Sequence, residues 1–353
     1  MAVYTTIDDP AIYFNTKLYT GTGSSLAITG VGFQPDWIWF KERGAIRSHA
    51  LVDSVRTRSK VIFADLTSAE ETSAASTNDL KSFDSDGFTV GVTNVSGSFN
   101  TSSGTHVAWN WKAGTSFTND ASSTGVGSID SAGSVSTDAG FSICSYTGTG
   151  SNATVKHGLS TAPKMIIFKN RNTSTDWDVY HGSLANTERL HLNTTGAKNT
   201  AAHAFNSTSP TTAVFSVGNA DNTNKSSSPM IAYCFAEKQG YSKFGSYTGN
   251  GNADGTFVYT GFKPAMVIGK ASSRVDVWWM HDNKRDIDNP VDLRLMPHSS
   301  GAEGAEWDLD YLSNGFKIRD TDAQTNGSGE TYIYMAFAEN PFVNSNGVPC
   351  NAR

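Results

Sequence analysis

Apolar and polar residues alternate along this chain in short stretches, and the alternation restarts three times. Each start is a strand-like segment ending in Tyr-Thr-Gly-x-Gly: Tyr19 to Gly23, Tyr146 to Gly150 and Tyr247 to Gly251. A run ending in lysine follows in each, as Asp36 to Lys41, Ala162 to Lys169 and Met266 to Lys270, then a third segment, as Ser48 to Val55, Asp176 to Tyr180 and Asp276 to Met280. A glycine or polar turn then precedes Gly87 to Gly91, Ala213 to Val217 and Gly315 to Ile318. Val107 to Trp111, Met230 to Glu237 and Thr331 to Glu339 close the three sets with aromatic and branched residues. Period-two patterning, β-branched and aromatic enrichment and frequent turn signals predict strands, and no stretch predicts a long helix. From opening tyrosine to closing strand each set spans about 85 to 90 residues, the mark of an internal repeat.

The expected fold is all-β: three tandem antiparallel β-sandwich units of jelly-roll or lectin-like form. Unit 1 with an N-terminal leader covers 1–113, unit 2 covers 140–239, unit 3 covers 240–340, and 341–353 is a polar tail. Residues 114–139, almost all Gly, Ser, Thr, Asp, Ala and Val, have the composition of a linker. Thr67 to Asn78 is expected as a loop on a sheet edge, and Ala302 to Asp310 as a loop that differs between units.

Charge narrows the function classes. The 353 residues carry a formal net charge of −6 with only 17% charged side chains, so no nucleic-acid footprint or basic membrane patch is implied. No apolar run is long enough to span a membrane, and the first 14 residues lack a secretory signal pattern. Three cysteines, Cys144, Cys234 and Cys350, have neither metal-ligand spacing nor an even count, and are expected as free thiols in a protein folded in a reducing cytosol.

Candidate chemistry is sparse. Tyr-Thr-Gly-x-Gly lacks the Lys-Ser/Thr and the helix of a phosphate loop and is expected to form a hairpin turn. Asp84-Ser85-Asp86-Gly87 resembles part of a calcium loop, but its counterpart Leu312-Ser313-Asn314-Gly315 has no carboxylates, so the turn is what recurs. Glu303, Glu306, Asp308 and Asp310 do not have a spacing that pairs them for glycoside hydrolysis. His49, His181 and His281 lie at the third strands with no accompanying nucleophile or metal motif. No catalytic residue, metal site or cofactor is assigned. The candidate ligand or interface aromatics are Trp177, Trp278, Trp279 and Trp307. Neighbours on a strand point to opposite faces, so Trp278 and Trp279 cannot both face one sandwich interior, and an outward Trp would stack on a sugar or form a unit–unit or subunit contact.

Three sets of residues carry a family resemblance. They are Gly32-Phe33-Gln34-Pro35-Asp36 through Trp39 and Lys41, His49 to Arg56 with Val107 to Gly114, and Tyr241 to Gly251 with Tyr332 to Glu339. They resemble repeat domains of tailed-phage virion structural proteins, abundant in marine phages and often named as tail fibres. The resemblance implies a non-enzymatic virion component assembled in the host cytoplasm. It most simply implies a tail fibre or host-recognition protein that binds cell-surface glycans through multivalent β-sandwich units. A capsid fibre or decoration protein and a virion-associated polysaccharide depolymerase are the alternatives. Expected partners are other virion proteins and further copies of the chain, as a homo-oligomer with the trimeric form usual for phage fibres. Nucleic acid and membrane are not expected partners.

Overall fold

The computed structural model describes residues 4–72, 79–92 and 99–350. It is nearly all strand, in open antiparallel sheets. Three large sheets share one strand order: opening, closing, second, third. In the first lobe these are Phe14–Thr20, Thr105–Trp111, Trp37–Glu42 and Ala50–Asp53. In the second they are Phe141–Thr147, Pro229–Phe235, Met165–Asn170 and Asp178–His181. In the third they are Ser242–Thr248, Thr331–Pro341, Phe262–Ala271 and Trp278–Asp282. A smaller sheet covers one face of each. Its central pair is Leu26–Thr29 with Gly87–Val90 in the first lobe, Ala153–Lys156 with Val214–Val217 in the second, and Phe257–Tyr259 with Gly315–Ile318 in the third.

The near-continuous apolar runs follow from this arrangement, because the large sheets are buried on both faces. Along Trp37–Glu42, Ile38 and Phe40 point into the first lobe's own sandwich core, while Trp37 and Trp39 point to the other side. There they meet Met165, Ile167, Tyr233 and Phe235 of the second lobe and Met266, Ile268, Met335 and Phe337 of the third. The molecule thus has one sandwich core in each lobe and a fourth, central core built from the back faces of all three large sheets. Aromatic rings cross the lobe boundaries in it: Trp37 stacks on Tyr233 at 4.5 Å, and Phe14 on Phe337 at 5.0 Å.

Three expectations are corrected. The stretch 114–139 is not a linker. Thr115–Asn119 and Ser131–Ser136 pair with each other and extend the second lobe's large sheet, Ser131 opposite Tyr146. The small residues that give this stretch its spacer-like composition are packing choices. A Cβ on Gly133 would stand 1.9 Å from the Ile143 carbonyl oxygen and 2.8 Å from the Phe117 ring. The stretch Ala302 to Asp310 is mostly strand, since Gly304–Leu312 pairs with Val291–Arg294 on one side and Gly315–Ile318 on the other. The expected edge loop Thr67 to Asn78 contains a short edge strand, Glu71–Thr72, and residues 73–78 lie outside the described residues.

The third correction concerns Tyr-Thr-Gly-x-Gly. It is not a hairpin, because the strands before and after it belong to different sheets. It is an arch from the large sheet to the small one, fastened from inside. Tyr19, Tyr146 and Tyr247 donate their hydroxyls to the carbonyls of Phe99, Thr223 and Thr325. The next residue in each case is a buried asparagine, Asn100, Asn224 or Asn326. Its Oδ1 accepts from the backbone N–H of Thr22, Thr149 or Asn250 at 2.7 to 2.9 Å. The first glycine of the motif is required by close approach: a Cβ on Gly21, Gly148 or Gly249 would come within 2.2 to 2.4 Å of a backbone oxygen.

Candidate functional site

The three lobes meet at three joints, and the sheet registers show that corresponding residues make them. Ala50, Asp178 and Trp279 occupy one register position, opposite Phe40, Phe168 and Gly269. The residues just before them are His49, Trp177 and Trp278. Each reaches a corresponding carbonyl-bearing residue of the neighbouring lobe. Trp177 donates its indole N–H to the Phe63 carbonyl at 2.9 Å, and Trp278 donates to the His191 carbonyl at 2.9 Å. The His49 ring meets the Met296 backbone. Lobe two therefore holds lobe one, lobe three holds lobe two and lobe one holds lobe three. Each joint uses unlike surfaces, and the rotation closes after three steps.

A second cycle lies beside the first. Tyr233 donates its hydroxyl to Asp53 at 2.7 Å, and Trp109 donates its indole N–H to Asp282 at 3.0 Å. The His181 Nε2 lies 3.2 Å from the Tyr334 carbonyl. Two of these joints are ionic. Asp53 pairs with Arg56, which also reaches Glu70, and Glu70 pairs with Arg171 across the joint. Asp282 pairs with Arg285, which also reaches Glu303, and Glu303 pairs with Arg43 across the joint. Burial pushes the Asp282 carboxyl up, but Arg285 outweighs it and holds the carboxyl below its ordinary range. The third joint replaces Asp and Arg with His181 and Leu184 and is neutral at these positions. Burial lowers His181 to about 4, so its ring is uncharged at neutral pH.

A buried lysine stands at the same position in each lobe, and in two of the three it bonds across a joint. Lys41, Lys169 and Lys270 are buried. Lys41 donates to the carbonyls of Glu42, Ala45 and, from the third lobe, Ser300. Lys169 donates to Thr67 of the first lobe at 2.8 Å, and Lys270 to Ala271 at 2.6 Å. Burial lowers each to about 8. The folded chain therefore holds fewer protons than the unfolded chain between about pH 8 and 10.5, so stability rises with pH there. Urea midpoints measured from pH 7.5 to 8.5 should rise, and Lys270→Met should remove about a third of that slope. Burial raises the thiols of Cys144 and Cys234, which act with the opposite sign above about pH 9, as the buried tyrosines do above about pH 10.

None of the four candidate tryptophans offers a face to a ligand. Trp177 and Trp278 are the joint residues just described. Trp279 fills the third lobe's core over Gly269, where a Cβ would stand 2.1 Å from its ring. Trp307 is 8% exposed, sits at a positive φ of 66° and is covered by the Arg294 guanidinium at 5.0 Å. Three of the four acidic candidates are paired: Glu303 as above, Glu306 by Arg294 and Asp310 by Arg319. Asp86 of the calcium-like turn accepts from the backbone N–H of Gly30 and Gly32. Cys144 and Cys234 are free and buried in the second lobe.

The sequence reading passed over the large aromatics that are exposed, Phe257 at 43% and Tyr259 at 53%. They stand on one strand with Val258 buried between them. Tyr4 of the N-terminal segment donates its hydroxyl to the Gly261 carbonyl at 2.7 Å, and its oxygen lies 3.3 Å from that of Tyr259. Together with Glu237, Lys243, Gln239 and Ser242 these residues border a cleft of about 270 Å³. Lys243 and Glu237 pair at 2.7 Å, each about one third exposed.

These features define an all-β protein of three antiparallel sandwich lobes closed around a shared core. The chain belongs to a family described as a domain of unknown function, DUF7483, which it matches over residues 9–341. No curated protein and no solved structure shows a match to it.

Proposed function

We propose that this is a non-enzymatic virion structural protein of a tailed phage, most specifically a tail-fibre or host-recognition component that engages cell-surface glycans. The observation that carries the reading is the closed cycle of joints. Three lobes, each clamped to the next by a buried Trp or His, with Lys41 and Lys169 adding bonds across two of the joints, make a stiff body with preformed surfaces. Such rigidity suits a part that must bind outside the cell without reorganising. Two of the acids that a depolymerase could use are also paired, Glu303 with Arg43 across a joint and Glu306 with Arg294 inside the third lobe.

The cycle changes the expected route to threefold geometry. Phage fibres obtain it by assembling three chains, whereas here one chain supplies all three lobes, so further copies would add to the ring from outside. Two measurements test the reading together. Light scattering should show that the purified chain keeps its compact body at the 37.7 kDa monomer mass on dilution. Fluorescently labelled protein should decorate bacterial cells from a panel of strains. Binding to emptied capsids with no binding to any cell would replace host recognition with capsid decoration.

A further inference from the structure

We infer that the cleft between Tyr4, Tyr259 and the Glu237–Lys243 pair, extended by the exposed Phe257 on the same strand face as Tyr259, is a saccharide-binding site confined to the third lobe. The inference rests on the host-recognition reading and gives it a location and a ligand class.

The strongest argument is an internal control. The strands Leu26–Thr29, Ala153–Lys156 and Phe257–Tyr259 occupy the same place in the three small sheets, each paired in register with the strand carrying Phe88, Phe215 or Phe316. The inward position is Ile28, Val155 or Val258, apolar and buried every time. The two outward positions are Ala27 and Thr29 in the first lobe and Thr154 and Lys156 in the second. Only the third lobe places rings there, so the sandwich does not require aromatics at these positions. Leaving two large rings in water forgoes their burial free energy, and adjacent exposed rings are the usual sign of a contact surface.

The surroundings specify what kind of contact. Phe257 and Tyr259 are two residues apart on one face, about 6.5 Å along a strand, which spans one to two pyranose rings. The Phe257 ring lies close to Gly315, where a Cβ would come within 3.1 Å of it. The cleft supplies a carboxylate, an ammonium, an amide and a phenol hydroxyl, from Glu237, Lys243, Gln239 and Tyr259, while the Ser242 hydroxyl is buried and bonded to the Ala236 carbonyl. A sugar presents a C–H face to the rings and vicinal hydroxyls that both donate and accept, the match for a neutral Glu–Lys pair with two uncharged neighbours. An anionic ligand would meet the Glu237 carboxylate, and a purely apolar one would leave the paired charges unsatisfied. The ligand is therefore an uncharged oligosaccharide of pyranose rings.

The test uses the full chain on a printed array of bacterial surface oligosaccharides and on the same strain panel. Wild-type protein should bind a subset of neutral glycans. Phe257→Ala with Tyr259→Ala should weaken that binding by at least about tenfold, while Tyr259→Phe, which keeps the ring, should stay within about threefold. Because both positions are exposed, the melting temperature should not move, which separates lost binding from lost fold. If the double variant binds the same glycans and cells as well as wild type, the site is wrong and host recognition stands. If no glycan and no cell is bound by either protein, both fall. Cell binding abolished by protease treatment of the cells would mark a protein receptor and overturn the saccharide assignment.

Discussion

Asp282→Ala should cost about 3–5 kcal/mol of stability, because it leaves Arg285 charged and without its main partner in the interior. Both side chains are fully shielded from solvent, and Asp282 accepts from Arg285 at 2.5 Å and from the Trp109 indole at 3.0 Å. The loss falls on the joint between the third and first lobes, so it should appear in urea denaturation as a lower midpoint for the whole molecule. Adding Arg285→Met should recover at least half of it, since the orphaned charge is the main cost. His181→Ala at the corresponding place in the neutral joint should cost less, about 1–3 kcal/mol, for one buried hydrogen bond. Equal losses at the two sites would mean that the ion pair adds nothing particular to ring closure.

Trp279→Ala should be as damaging for a different reason. It empties the third lobe's core beside Gly269, and a fully buried Trp-to-Ala change typically costs about 3–5 kcal/mol. The first lobe shows how to fill the gap. There the same register pair is Phe40 opposite Ala50, the bulk having moved from one strand to its neighbour. The double variant Gly269→Phe with Trp279→Ala copies that arrangement and should regain at least half of the loss. A single variant within about 1 kcal/mol of wild type would show that Trp279 is not a packing residue.

Much of the fold was legible in the sequence, and the reasons are specific. The second, third and closing strands were visible because both faces of each are buried, giving runs such as Trp37 to Phe40 that suit little else. The strands within 114–139 were hidden for the converse reason. Gly133, Ser131 and Ser134 are small because neighbours crowd them, and small polar residues read alike in a tight sheet and a free linker. The lack of a spacer before Tyr241 pointed to docking of the second and third lobes, but the core shared by all three was hidden, because strand periodicity says that two faces are buried but not against what.

The candidate site was read least well. Strand alternation showed that Trp278 and Trp279 could not both face one interior but not which of them faces out, and the surface that Trp177 and Trp278 meet belongs to the next lobe. Trp279 attracted notice as the strand neighbour of Trp278, when the informative residue was Gly269 opposite it. Phe257 and Tyr259 were legible in principle. Setting Ala27-Ile28-Thr29, Thr154-Val155-Lys156 and Phe257-Val258-Tyr259 side by side isolates them, but only once the strands are aligned by register.

The cycle of joints also governs how the chain reaches and leaves its native state. The bonds that close it join residues far apart in sequence: 153 positions for His181 and Tyr334, 173 for Trp109 and Asp282, and 260 for Arg43 and Glu303. Closure waits until nearly the whole chain has emerged, and such high contact order makes folding slow. Contacts formed that late are absent from the transition state, so their strength goes into slowing escape from the native state rather than speeding arrival. Once closed, the ring persists for as long as its unfolding rate allows, whatever its equilibrium stability.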